Sequence, residues 1–282
     1  MVASGSLQRT GEGVYAGREA ASRRAAESKG GENRMPEAER PISSAEIKDS
    51  SPNSSYEQLL SSTMRGFEAA RKAAEALAKG VGSDSNGLAE KVRPYEEELD
   101  KLDHDINDGV TAGISQVAPQ RARELLACLK FIIELERIGD LLLNVANRAV
   151  AVGARLEGQD IKDLATMSGI LARMLGQVQE AFEKRDLKRA VDVLKADGEM
   201  DRLRNLVFVR HIENPEHQLH NESFHVVFMI QSLERSGDHA KNLAEEVVHL
   251  VSGRSVRHVL RQYDKPDEVV FVERMRRQSG KR

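Results

Sequence analysis

Leu135–Val150 reads LERIGDLLLNVANRAV and Leu233–Val248 reads LERSGDHAKNLAEEVV, one sixteen-residue phrase used twice, 98 positions apart, with eight identical residues. A repeat of this kind means that one supersecondary unit occurs twice in the chain. Each copy sets a Glu and an Asp four residues apart, with an Asn one turn later, among Leu, Ile, Val and Ala. On a helical wheel of about 100° per residue, Asp140 falls within about 40° of Glu136, and Leu129, Ile132, Ile133 and Leu143 fall within about 60°. Glu234 and Asp238 likewise share a face with Val227 and Ile230. The carboxylates are therefore expected on a mainly apolar stripe rather than on the solvent face.

Outward from the repeat the pattern stays helical. Leu59, Leu60, Met64, Phe67, Ala70, Ala74 and Leu77 recur at spacings of one, three and four, and Gly80 and Gly82 stop that run. A second helix is expected from near Gly87 to Gln116, kinked or restarted at Pro94. A third opens at Pro119 and ends near Gly153; a fourth runs from Asp160 to about Lys184. A fifth spans Leu187 to Ile212, ahead of Pro215, and a sixth runs from Glu216 to Ser252, with Gly253 as its cap. No alternating pattern competes as strand. The fold class is all-α, with six helices in two sets of three. The expected divisions are a mobile extension over 1–54, a first three-helix bundle over 55–155, a second over 156–263 and a tail over 264–282.

Composition limits the function. Charged residues make up 31% and aromatics 4% with no Trp, which suits Ala-, Leu-, Glu- and Arg-rich helices. A net charge of −3 gives no basic field for nucleic acid, so none is expected as partner. The single Cys128 reads as a buried small hydrophobe and fits a reducing compartment. No signal peptide or membrane span is visible, so a cytoplasmic protein is expected, at a membrane only through partners.

The carboxylate pairs recur upstream. Glu96 and Asp100 lie on the second helix and Asp197 and Asp201 on the fifth, again four apart. Neighbouring antiparallel helices can then aim four carboxylates at one spot in each half: Glu96, Asp100, Glu136 and Asp140, and Asp197, Asp201, Glu234 and Asp238. Like charges so placed repel and are costly to desolvate, and a cation removes both costs. All-oxygen donors favour hard ions such as magnesium, calcium, manganese or iron over a Cys/His zinc site. Gly139 and Gly237, each just before an Asp, cost about 1 kcal/mol of helix propensity apiece and suggest a close backbone or ligand approach. The alternatives are an ordinary solvated helix face, or pairing with arginines such as Arg137 and Arg235.

At these residues the chain resembles the PhoU family of phosphate-specific transport system accessory proteins. The resemblance rests on Glu136-Arg-Ile-Gly-Asp140 and Glu234-Arg-Ser-Gly-Asp238-His239, each followed by Asn-Xaa-Ala. It rests also on the acidic motifs Glu96-Glu-Glu-Leu-Asp100-Lys-Leu-Asp103 and Asp197-Gly-Glu-Met-Asp201-Arg-Leu. It covers about 55–260 and departs at the start of the third helix, where Arg121-Ala-Arg-Glu-Leu replaces the family's Asp-Leu-Arg. The resemblance implies two pseudo-symmetric three-helix bundles and multinuclear metal, iron first with manganese, magnesium or zinc as alternatives, held by the four acidic motifs on the bundle surface. It implies a negative regulator of phosphate uptake and of phosphate-starvation signalling, not an enzyme. The expected partners are the ATPase subunit of the phosphate ABC transporter and a sensor histidine kinase. A homodimer is expected, because two equivalent acidic patches offer repeated contacts.

Two other readings stand beside it. A metal-free helical adaptor would pair its carboxylates with bases. A carboxylate-bridged di-metal enzyme needs Glu-Xaa-Xaa-His on two helices, but Glu222-Ser-Phe-His225 and Glu246-Val-Val-His249 lie 24 residues apart on one expected helix. That is about 36 Å, too far to share a site. His211, His217, His220 and His225 read as a solvated helix end rather than a zinc site, and His239 as a surface histidine or secondary ligand. No Gly-rich phosphate loop or nucleophile–base arrangement is visible, so no catalytic residue is assigned.

Overall fold

The computed structural model describes residues 52–83, 87–213 and 221–253, apart from the side chains of 52, 53, 195–197 and 221. Within them lie six helices: α1 (Pro52–Gly80), α2 (Leu88–Gly113), α3 (Pro119–Val152), α4 (Gly158–Lys184), α5 (Leu187–Phe208) and α6 (Asn221–Ser252). The expected extension over 1–54, except for the start of α1, and the tail over 264–282 lie outside the described residues.

Local chemistry sets the ends. Pro119 occupies the first turn of α3, where its missing N–H costs nothing. Gly153 and Gly253 take φ of 59° and 69°, ending α3 and α6 in the conformation that glycine reaches most cheaply. The Asp186 side chain accepts from the backbone N–H groups of Lys188 and Arg189 and caps α5. Pro94 does not restart α2, which runs through it as one helix. The sixth helix is described from Asn221, its expected start at Glu216 lying outside the described residues, and α5 ends at Phe208 in a π-helical turn, Val209–Glu213.

Helices α1–α3 pack on one another, as do α4–α6, giving two three-helix bundles of the same plan. They share one continuous apolar core, with α1 against α4 and α3 against α6. Phe67, Phe131 and Phe182, from α1, α3 and α4, meet in it at centroid distances of 5.5, 6.3 and 4.9 Å. Rings at these distances contribute beyond their buried area.

The α3–α6 seam is polar along its outer edge. Lys130 Nζ reaches Glu246 at 2.9 Å, Asn242 Nδ2 donates to Glu134 at 3.2 Å, and the Arg148 guanidinium lies 4.9 Å from the centre of the Phe228 ring. Each step along α3 is matched by a step back along α6, so the helices are antiparallel, and this register sets Gly139 level with Gly237. His239 Nδ1 lies 2.6 Å from Glu134, so this histidine ties the two halves together rather than facing open solvent. Burial alone would raise the Glu134 pKa, but hydrogen bonds from His239 and Asn242 prevail and hold it below the usual value.

A second polar cluster is buried where α4 begins. Arg210 bonds Asp160 at 2.6 Å and Asp163 at 2.8 Å, and His211 Nε2 meets Asp160 at 2.9 Å. His211 is only 3% exposed, which corrects its reading as part of a solvated helix end. His217 and His220 lie outside the described residues. Both Glu-Xaa-Xaa-His segments are on α6, as the exclusion of a shared di-metal site requires. Cys128 is fully buried, and burial pushes its thiol up to about 11.

Candidate metal centre

Three of the four expected first-half carboxylates converge across the α2–α3 seam, and Glu136 is not part of that group. Carboxylate oxygens of Glu96 and Asp100 on α2 and of Asp140 on α3 all lie within 4.8 Å of one another. Glu96 is half-buried, while Asp100 and Asp140 are exposed. The acidic line thus runs along the rim of the apolar face rather than on it, which corrects the expectation from the wheel. The reason is that α3 packs on α1, α2 and α6 together, so its apolar surface wraps most of the helix and the wheel has no single buried centre.

Gly139 explains how the helices come so close. A Cβ there would lie 2.7 Å from Leu99 Cδ1 and 3.7 Å from Glu96 Cα, so the Leu99 side chain of α2 occupies the space where a Cβ would stand, with the α2 backbone at contact distance behind it. This is the close approach that the paired glycines suggested. At Gly237 the nearest atoms to a Cβ would be those of Met200, at 3.4 Å and beyond, so the second half is looser at this point.

The electrostatics of the first half follow from the geometry. Partial burial raises the pKa of Glu96, and the charges of Asp100 and Asp140 add to it. Burial likewise raises Glu136, with Asp140, Asp100 and Asp103 adding. Asp140 is raised by burial and by Asp100. Arg93 acts the other way on Glu96 and Arg137 on Glu136, without reversing either shift. In water-like surroundings each such pair at this separation costs about 1 kcal/mol, and more where solvent is thinned. An all-oxygen donor set on two rigid helices, mutually repelling and open to solvent on one side, fits a hard multivalent cation.

The second half is built differently. Arg204 on α5 places one guanidinium nitrogen 2.9 Å from Glu234 and the other 3.6 Å from Asp201. Asp238 is exposed on α6, and the Asp197 side chain lies outside the described residues. The structure therefore joins Asp201 and Glu234 through a base. That base is not Arg235 of the repeated motif but a residue of the opposite helix.

Spacing of pairs alone missed Asp103 and Arg204. The signal was present: each lies three residues after the second acid of its motif, Asp100 or Asp201, and seven after the first, Glu96 or Asp197. That puts both on the acidic face of their helices.

The PhoU domain family matches residues 67–149 and 164–247, one copy in each half. The "Phosphate-specific transport system accessory protein PhoU homolog" of Pseudomonas aeruginosa is 32% identical over 189 residues, which is 64% of this chain and 76% of that one. The "PhoU homolog 1" of Thermotoga maritima is 27% identical over 186 residues, covering 64% and 80%. Crystal structures of PhoU from P. aeruginosa and Streptococcus pneumoniae share the fold, with TM-scores of 0.65 and 0.66 and identities of 25% and 17%. The first covers 72% of this chain and all of its own, the second 73% and 99%. The chain belongs to the PhoU family.

Proposed function

We propose that this PhoU-family chain is a cytoplasmic negative regulator of phosphate uptake and phosphate-starvation signalling, acting by docking rather than by catalysis. What carries the reading is that a PhoU domain matches each half, and that curated relatives of both halves are named accessory proteins of a phosphate-specific transport system. The partners are the ATPase subunit of the phosphate ABC transporter and a sensor histidine kinase. A regulator of this kind shifts a partner only by binding one of its states more tightly than another. In the described residues no helix is long and apolar enough to cross a membrane.

Metal is part of the proposal. Glu96, Asp100 and Asp140, with Glu136 beside them on α3, would hold a hard cation, iron first, at the α2–α3 seam. When bound, such an ion would offset the mutual repulsion of these acids. The protein's part is to present oxygens from two rods that are already packed together, so little reorganisation is needed on binding.

The test has two arms. Association with the ATPase subunit is measured by pull-down at high and low phosphate; no association at either removes the regulatory reading. Metal content of protein purified without chelator is compared between wild type and Asp140→Ala. Equal metal in both removes these residues as ligands.

A further inference from the structure

The two halves follow one backbone plan, but at one position they carry opposite charge. The α2 motif runs Glu96, Asp100, Asp103 and the α5 motif runs Asp197, Asp201, Arg204, with the same spacing of four and three. Asp103 lies close enough to Glu136 to act on its charge. Arg204 instead bridges Asp201 and Glu234, at 3.6 and 2.9 Å. Side-chain exposures of 31%, 22% and 12% for Arg204, Asp201 and Glu234 place this bridge partly out of solvent. There a guanidinium between two carboxylates is bound more firmly than at a free surface. A metal ion arriving at the second half must displace that guanidinium or share the acids with a fixed positive charge.

We propose that the two acidic centres are not equivalent. The α2–α3 centre takes multivalent cations, and the α5–α6 centre is partly neutralised from within by Arg204, which ties up Asp201 and Glu234. The chain is then a one-centre protein in which position 103 opens one half and position 204 closes the other. This rests on the metal reading above and names which half is loaded and why.

Chelator-treated full-length protein is incubated with excess Mn²⁺ and desalted, and Mn²⁺ per chain is counted by mass spectrometry. Wild type retains Mn²⁺, and both Asp140→Asn and Asp103→Arg lose it. Arg204→Asp raises the Mn²⁺ per chain about twofold, one loaded centre becoming two, and adding Glu234→Gln removes the gain. Arg204→Gln, which keeps an N–H donor for Glu234 without the charge, gives a smaller gain and covers the case in which Arg204→Asp does not fold. Thermal unfolding supplies an independent readout. Metal-free Arg204→Asp melts below wild type and Mn²⁺ restores it, whereas metal-free Asp103→Asn melts above wild type. If Asp140→Asn keeps about half of the wild-type Mn²⁺, or the Arg204 variants gain none, the asymmetry is overturned and the metal reading stands. A wild type that takes up no Mn²⁺ overturns both.

Discussion

Replacing the two repeat glycines by alanine, one at a time, tests the packing that brings the acids together. In mid-helix, Gly→Ala gains about 1 kcal/mol from propensity alone. At Gly237 no close clash opposes the gain. The new Cβ meets flexible Met200 atoms at 3.4 Å, an ordinary contact, so this variant should be more stable by up to about 1 kcal/mol. At Gly139 the Cβ arrives 2.7 Å from Leu99 Cδ1. Leu99 is fully buried and also packs near Gly66, so it has no solvent to retreat into. Overpacking of this kind costs about 1–3 kcal/mol, which cancels the propensity gain and exceeds it. The two variants should differ by about 2 kcal/mol in urea unfolding, or several degrees in melting temperature. Gly139→Ala also wedges α3 away from α2 and parts Asp140 from Glu96 and Asp100, so its Mn²⁺ retention should fall while that of Gly237→Ala holds. Equal stabilisation by both alanines, with metal retention unchanged, would refute the claim that close helix approach at Gly139 builds the centre.

Three further outcomes are expected. Phe131→Ala removes the ring that touches both Phe67 and Phe182 and should cost about 3–5 kcal/mol; because the core is shared, far-UV circular dichroism should still show one transition and not two. Arg210→Met leaves Asp160 and Asp163 buried without their main cation and should cost about 3–5 kcal/mol in chemical unfolding; adding Asp160→Asn and Asp163→Asn should recover most of it. Glu134, whose folded pKa lies below its unfolded value, contributes stability above the ordinary carboxylate range that is lost as pH falls through that range, near pH 4, towards its lowered value; Glu134→Gln should flatten this limb of the stability–pH curve, and an unchanged limb would count against the α3–α6 tie.

The helices were legible in the sequence because their signals are local. Pro119 marks one start, Gly153 and Gly253 mark two ends, and apolar spacing fills the rest. The convergence of Glu96 and Asp100 on Asp140 was legible too, since equal spacing on adjacent rods leaves few other arrangements. The joining of the halves was not. Lys130, Glu134, His239 and Glu246 gain partners only through tertiary pairing along the α3–α6 seam, which spacing within one helix does not show. Arg204 was hidden for a related reason. Attention to the repeated motif points to its own arginines, Arg137 and Arg235, yet Arg137 lies 3.7 Å from Glu134 of its own helix. The base that reaches Glu234 comes from the facing helix, at a position the repeat does not include.

A repeat fixes backbone plan far more tightly than it fixes charge. Apolar positions on α2 and α5 must match their bundle partners to within a methyl group, because the interior is close-packed. Position 103 and its counterpart 204 lie on the rim, where either sign of charge leaves the packing intact. One half therefore carries five acids, Glu96, Asp100, Asp103, Glu136 and Asp140, against four acids and a guanidinium in the other, a difference of two formal charges. That difference has opposite effects in the metal-free chain: the first half is held against repulsion by its packing, and the second is relieved by Arg204. A cation that binds only the folded arrangement adds stability by mass action, and it does so where repulsion is still unrelieved. The α2–α3 seam is then the part of the molecule whose stability depends on metal supply. The α5–α6 seam keeps its form without metal, so a partner that distinguishes metal-free from loaded protein should read the first half.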